Sequence, residues 1–291
     1  QWNDDIHHAY HVLATGESDG YYSDYADKPV FYLARCLTEG FAYQDDVSLF
    51  RRGERRGQPS AHLPPTAFVS FLQNHDQVGN RAFGERLGMI ADPLALRAVT
   101  EVMLLAPSPP LLFMGEEFGA TEPFQFFCNF SPDLAAAVTE GRRKEFSRFE
   151  KFSDPTTREA IPDPSDLATF KRSKLSWDDL TQPEHRNWLD FHRTLLSLRR
   201  DAIVPRLGNM PGGQACYELI GRRGFRVQWK LGDGSALALV ANLSGDSLPG
   251  VPRPDGELIY ATDASVAAGL TSALMASWSV AWYLDREAHP D

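Results

Sequence analysis

The chain has 291 residues, 43% of them hydrophobic and 23% charged, and its 29 Lys and Arg against 39 Asp and Glu leave a formal net charge of -10. This composition excludes a disordered or collagen-like chain. A folded chain of this length buries about three quarters of its unfolded surface, so one large domain or two of medium size are expected.

An acidic field repels both a nucleic-acid backbone and an anionic membrane surface, so a neutral partner fits better. Cys36, Cys128 and Cys216 are odd in number and far apart, which disfavours a disulfide framework and points to a reducing compartment, the cytoplasm. No run of about 18 uninterrupted apolar residues suggests a membrane span, and the opening QWNDDIHHAYH has neither a basic start nor an apolar signal core.

In chain order, the first two thirds alternate strand-like and helix-like runs, the pattern of a parallel sheet with crossover helices. A short strand at about 1–6 leads through a loop rich in Gly, Ser, Asp and Tyr (16–27) to a helix starting near Pro29. Val30, Leu33, Ala34 and Leu37 share one face of that helix, and Gly40 is its stop. AFVSFLQ (67–73) is a compact strand ending in the polar cluster NHDQVGNR (74–81), and Asp92-Pro93 supplies an N-cap and first-turn Pro for a helix through about Leu105. PPLLFMG (109–115) reads as a third buried strand, followed by a long polar excursion to about 183 and a helix at about 184–200 with Trp188, Phe191, Leu195 and Leu198 at helical spacing.

After Pro205 the runs GFRVQWKL (224–231), SALALVANL (235–243), ELIYAT (257–262) and SWSVAWYL (277–284) are short strands separated by Gly-Asp, Pro-Gly and Asp-Gly turn signals. In the last run Trp278, Val280, Trp282 and Leu284 alternate with smaller or more polar residues, so one face is expected to pack inward. The chain thus divides into an α/β part, 1–201, and an all-β domain, 202–291.

Ligands bind at the carboxyl ends of parallel strands, which singles out Trp2, Asn3, Asp4, Asp5, His7 and His8, then Asn74, His75, Asp76 and Gln77, then Glu116 and Glu117. Carboxylates accept hydrogen bonds from sugar hydroxyls, imidazoles donate or accept, and aromatic faces stack on pyranose rings, so a glycan is the natural ligand. His7 and His11 at i,i+4 allow three readings: a metal grip, structural histidines, or the wall of a polar pocket. Asp76 also reads as a turn aspartate, Glu116-Glu117 as a loop anchor, and Arg142-Arg143-Lys144 as a solvated helix face.

At FLQNHDQVGNRA (71–82) a specific likeness appears. The NHD triplet after a buried strand resembles the seventh-strand motif of the α-amylase superfamily of glycoside hydrolases, and QVGNRAFGERL resembles its maltooligosyltrehalose trehalohydrolase family. WNDDIHHAYHVLATGE resembles that family's sixth-strand segment and LLFMGEEFGATEPFQFFCNF its eighth; GRRKEFSRF and IPDPSDLATFKRSKLSW resemble the excursion that follows. The resemblance implies the last strands, six to eight, of a (β/α)8 TIM barrel, then a β-sandwich-like domain. It implies retaining hydrolysis of the α-1,4 bond beside the terminal trehalose of maltooligosyltrehalose, without metal or organic cofactor. Asp76 resembles the family's third carboxylate, which grips the sugar in subsite −1 and stabilises the transition state, and His75 resembles its sugar-binding partner. Asn74, Gln77, Asn80 and Arg81 would line the pocket floor and rim.

In this family the nucleophilic Asp follows strand four and the acid Glu strand five, both upstream of where the resemblance begins, so neither role transfers to a residue here. Three barrel strands cannot close, and an open parallel sheet exposes its edges; a further N-terminal barrel half, in the same polypeptide or a docking chain, is therefore expected as partner. Two other readings share the residues: a glucan branching enzyme, distinguished by new α-1,6 branches, and a non-catalytic glycan-binding module, distinguished by binding without turnover.

Overall fold

The computed structural model describes residues 1–147 and 154–287; the last two residues of GRRKEFSRF lie outside this range. The chain divides into two compact units, one of residues 1–72, 91–111 and 191 onward, the other of residues 73–90 and 112–190.

In the first unit, three segments pair in parallel through single bridges, Trp2 with Val69 and Ser70 with Pro110. Asn3 N donates to Val69 O at 3.0 Å and Leu111 N to Ser70 O at 2.8 Å. The strand expected at 1–6 is mostly a helix, Asp4–Thr15. The Asn3 side chain accepts from Ile6 N, Asp4 and Asp5 in the first turn suit the positive end of the helix dipole, and Gly16 closes the helix in the left-handed region at φ 72°. The capping signature therefore overrides the strand-like opening.

The helix Pro29–Glu39 forms as expected, with Val30, Leu33, Ala34 and Leu37 all buried. So does Pro93–Leu105, where Asp92 accepts from Leu94 N and Ala95 N. Its far end is closed by the buried Arg199, whose guanidinium donates to the carbonyls of Leu104, Ala106, Pro107 and Ser108. Burial pulls the Arg199 pKa down to about 10, yet the four carbonyls at a helix C-terminus remain a favourable place for a cation. The helix expected at 184–200 spans Pro183–Leu198.

Among the described residues the largest sheet has five antiparallel strands in the spatial order Ala215–Ile220, Gly224–Lys230, Ala236–Asn242, Ser279–Asp285, Glu257–Ala261. Register places Trp229, Leu237, Leu239, Trp282 and Leu284 on one face, where the two indoles stack at 5.7 Å. Trp229 Nε1 donates to Leu37 O at 2.9 Å, tying that face to the helix Pro29–Glu39. On the opposite face Ala238, Val240, Ala281 and Tyr283 pack with Val266 and Leu270 of the helix Ala264–Thr271. The face expected to pack inward does so at Val280, Trp282 and Leu284, Trp278 lying just before the strand, and the opposite face is buried as well because helices cover both sides.

The second unit is built from the helices His75–Gly79, Leu87–Ile90, Pro132–Phe146, Pro155–Glu159 and Leu167–Arg172 joined by loops. Ala82, Phe146 and Ile161 form a buried cluster with Phe83 against it.

Candidate functional site

The turn at 73–81 begins with a capping box. Asn74, extended at φ -144°, accepts from Asp76 N through its side chain, and Gln77 Oε1 accepts from Asn74 N at 3.2 Å. Asn74 thus takes the capping role, which leaves the Asp76 carboxylate out of it. In the first turn of His75–Gly79 both His75 and Asp76 stay exposed, with side-chain exposures of 57% and 64%, and His75 Nε2 stands 3.4 Å from Asp76 Oδ1. Asn80 ends the helix, its N–H reaching Asp76 O at 2.9 Å, and Arg81 pairs with Glu85 at 3.4 Å.

This polar turn is held from below and behind by buried groups of its own unit. Gln73 Nε2 donates to Glu116 Oε2 at 3.2 Å while its Oε1 accepts from Leu87 N at 2.9 Å. Glu116 Oε2 also accepts from Phe113 N at 3.4 Å. Burial pushes the Glu116 carboxyl up to about 8, with the neighbouring Glu117 adding to it and Gln73, Phe113 N and Arg86 opposing. Arg86, 1% exposed, donates to Glu122 O at 2.6 Å and Met114 O at 2.8 Å and lies over the Phe113 ring. Gly84 packs against the Phe124 carbonyl at φ 71°, and a Cβ there would fall 2.5 Å from Phe124 O.

Arg142 corrects an expectation. Its guanidinium donates to Gly79 O at 2.8 Å and Arg81 O at 2.7 Å and lies over the Phe126 and Phe146 rings. It is a clamp on the carbonyls that follow the polar turn, rather than part of a solvated face, and the apolar rings on either side explain why the helix brings it inward.

The other candidates belong to the first unit, and most of them serve its frame. Asp5, 4% exposed, accepts from the Tyr25 hydroxyl at 2.5 Å, from Ala42 N at 3.0 Å, from Tyr43 N at 3.1 Å and from Arg56. His7 is buried on Phe71, with Nδ1 2.6 Å from Leu72 O and Nε2 3.3 Å from the Tyr22 hydroxyl. In the structure Asp5 and His7 are thus bound into the fold, which for His7 agrees with the structural one of its three readings. His8 stacks on Tyr25 at 4.9 Å, and burial lowers its pKa to about 4. His11 stacks on Tyr22 at 4.1 Å and pairs with Glu17 at 2.7 Å. Asp4 is exposed on the first helical turn, and Trp2, 44% exposed, meets Phe71 edge-on at 6.0 Å. In the second unit Glu117 is half-buried beside Glu116.

Among the described residues no cluster of three or more His, Cys, Asp or Glu could hold a metal ion, and no helix is long and apolar enough to cross a membrane. Sequence reasoning missed Gln73, Arg86 and Arg142. Gln73 sits directly before the NHD triplet, which was a usable signal; the two arginines carried none, since their carbonyl partners come from distant segments.

A family model described as a domain of unknown function, DUF3459, matches residues 212–282, the stretch that carries most of the five-stranded sheet. Curated relatives include the malto-oligosyltrehalose trehalohydrolase of Rhizobium sp. (strain M-11), 38% identical over 91% of this chain and 43% of that protein. Its counterpart from Brevibacterium helvolum is 37% identical over 97% of this chain and 46% of that protein. A crystal structure from Salmonella typhimurium, named provisionally as an alpha amylase, is 41% identical with a TM-score of 0.88 and covers 98% of this chain and 46% of its own. The chain spans a little under half the length of each of these relatives. Its fold is α-amylase-like over the matched part, with an antiparallel β region toward the C-terminus.

Proposed function

The chain is a homologue of the malto-oligosyltrehalose trehalohydrolases over nearly its whole length, and from that premise we propose that it is the sugar-gripping part of a retaining glycoside hydrolase that releases trehalose from maltooligosyltrehalose. In this reading residues 1–201 supply about strands six to eight of a (β/α)8 barrel, and 202–291 the β domain that follows it in sequence. The nucleophilic Asp and acid Glu come from a further N-terminal segment, in the same polypeptide or as a docked chain, and the enzyme works in the cytoplasm on α-1,4-glucan oligosaccharides.

The observation that carries the reading is Asp76: a carboxylate in the first turn of a rigidly capped helix, exposed beside His75 and released from the capping role by Asn74. Retaining hydrolysis needs an attacking and a protonating carboxyl about 5 Å apart, with positive charge developing on the sugar ring between them. A third carboxylate that bonds the hydroxyls of that sugar, and bonds them more tightly as the ring flattens, lowers the barrier without itself moving a proton. His75 contributes a second hydrogen bond to the same sugar. Asn74 and Gln77 fix the turn, and Asn80 and Arg81 with Glu117 form the polar rim.

The test is trehalose release from maltotriosyltrehalose by the 291-residue chain alone and by the chain expressed with its upstream segment. Release only in the second case is the expected result. Release by the short chain alone would overturn the assignment of the reacting pair to the upstream segment, and new α-1,6 branches in place of trehalose would overturn the reaction itself.

A further inference from the structure

Glu116 is the most deeply placed carboxyl among the described residues of the second unit, 8% exposed, and its hydrogen bonding is lopsided. Oε2 accepts from Gln73 Nε2 at 3.2 Å and from Phe113 N at 3.4 Å, while Oε1 is buried without a hydrogen-bond partner among the described residues. Its own backbone is pinned as well. Glu116 O accepts from Trp188 Nε1 at 3.0 Å, Glu116 N donates to Phe113 O at 2.9 Å, and Gly115 before it lies in the left-handed region, where a Cβ would fall 2.6 Å from Leu175. Gln73 is equally constrained: 5% exposed, it spends its amide nitrogen on Glu116 and its amide oxygen on Leu87 N. It is also the residue directly before Asn74, the cap of the helix that carries His75 and Asp76.

A buried carboxyl satisfied at one oxygen only is costly to keep, and a site of this kind calls for a reason beyond packing. We infer that Glu116 is a positioning residue for Asp76, acting through Gln73 to fix the point from which the Asn74–Asp76 turn springs. The inference rests on the reading that Asp76 grips the substrate. Its span is short: one hydrogen bond from Glu116 to Gln73, one peptide bond from Gln73 to Asn74, one capping bond from Asn74 to Asp76 N at 2.8 Å. Arg86 and Glu117 are the charged groups that bear on the carboxyl, in opposite directions, and burial dominates both, so at neutral pH the group carries its proton. A protonated carboxyl is matched in size and charge by a primary amide, whose oxygen accepts from Gln73 and Phe113 N as the acid does. That equivalence separates a positioning role from a role for the charge.

The experiment compares Glu116→Gln, Glu116→Ala and Gln73→Met in the complete enzyme. Two readouts are taken: kcat and KM on maltotriosyltrehalose, and hydrogen–deuterium exchange across residues 74–79. Glu116→Gln is expected to keep kcat and exchange near wild type. Glu116→Ala and Gln73→Met are expected to lower kcat by about tenfold to a hundredfold with a smaller change in KM, since a misplaced group costs the transition state most, and to speed exchange at 74–79. The double variant should be no worse than either single one, because both break the same strut. Wild-type exchange at 74–79 in Glu116→Ala and Gln73→Met, additive losses in the double variant, or a Glu116→Gln as impaired as the alanine would each overturn the inference. If the wild-type enzyme releases no trehalose, the functional reading fails by itself, and the exchange data still decide whether Glu116 holds the turn.

Discussion

Two stretches of this chain, 3–8 and 74–77, offer nearly the same chemistry and use it in opposite ways. Each starts a helix with an asparagine cap, Asn3 accepting from Ile6 N and Asn74 from Asp76 N, and each follows the cap with acid and imidazole groups, two of each in the first and one of each in the second. In the first, Asp5 meets four donors brought by Tyr25, Ala42, Tyr43 and Arg56. A carboxylate has about four acceptor sites, so Asp5 has none left for a substrate. In the second, no later segment among the described residues donates to the Asp76 carboxylate, which keeps 64% of its side chain in solvent beside His75. The asparagine cap and the carboxylate two residues after it are shared; what separates a buried anchor from an exposed carboxylate is how many donors the rest of the fold delivers.

The sharpest way to break this contrast is to remove each carboxylate in turn. Asp5→Ala leaves the Arg56 guanidinium and two backbone N–H groups without their buried partner, and is expected to cost about 3–5 kcal/mol of stability, read by urea unfolding. Activity per folded molecule should change little. A loss under 1 kcal/mol would mean that the buried network is not what holds this region.

Acid should act on the first stretch. His8 has its pKa lowered by burial from 6.5 to about 4, and His7 is lowered well below its usual value for the same reason. The unfolded chain takes up protons on these rings below pH 6.5 while the folded chain does not. The stability they contribute is therefore complete above 6.5 and lost as pH falls toward 4, by about 3 kcal/mol from His8 at the full shift. His8→Phe retains the stack on Tyr25 and should flatten that part of the pH–stability curve; an unchanged slope would show that other groups set it.

For Asp76 the signature reverses. Asp76→Asn in the complete enzyme is expected to lower kcat at least about a hundredfold, the loss of one preorganised electrostatic partner being about 3 kcal/mol of barrier, while unfolding hardly moves because the side chain is exposed. A variant with wild-type kcat and a raised KM would reduce Asp76 to a ground-state contact.

How far the sequence reached follows the same line. The helices at Pro29–Glu39 and Pro93–Leu105 and the strands Gly224–Lys230, Ala236–Asn242 and Ser279–Asp285 were readable because a capping residue or an apolar period marks each one. The strand Ala215–Ile220 was missed: it lies at the sheet edge, half exposed, and its run ACYELI alternates weakly. The hairpin Gln44–Ser48 with Glu54–Gly57 was missed because five of its nine strand residues are charged and Val47 is its one large apolar residue. At the site, the NHD triplet was visible as a contiguous motif. The Gln73–Glu116 bond spans 43 residues and the Arg142 bond to Gly79 spans 63, and no local pattern encodes partners so far apart.

The smallest effect isolates the cap that makes the contrast possible. Asn74→Ala removes the bond to Asp76 N and, with it, half of the reciprocal pair with Gln77. Loss of an N-cap costs about 1 kcal/mol, and in a helix of only five residues most of that cost falls on the local turn, since so short a helix has little stability of its own to draw on. Global unfolding should therefore shift by about 1 kcal/mol or less. kcat should fall more than that shift suggests, because Asp76 N is then free to recruit the nearest alternative acceptor, the Asp76 carboxylate itself or the His75 ring, and either choice turns those groups away from substrate. Asn74→Asp and Asn74→Ser keep a capping oxygen and should restore both stability and turnover. If alanine and serine behave alike in turnover, the orientation of Asp76 does not depend on its cap, and the difference from Asp5 would rest on exposure alone.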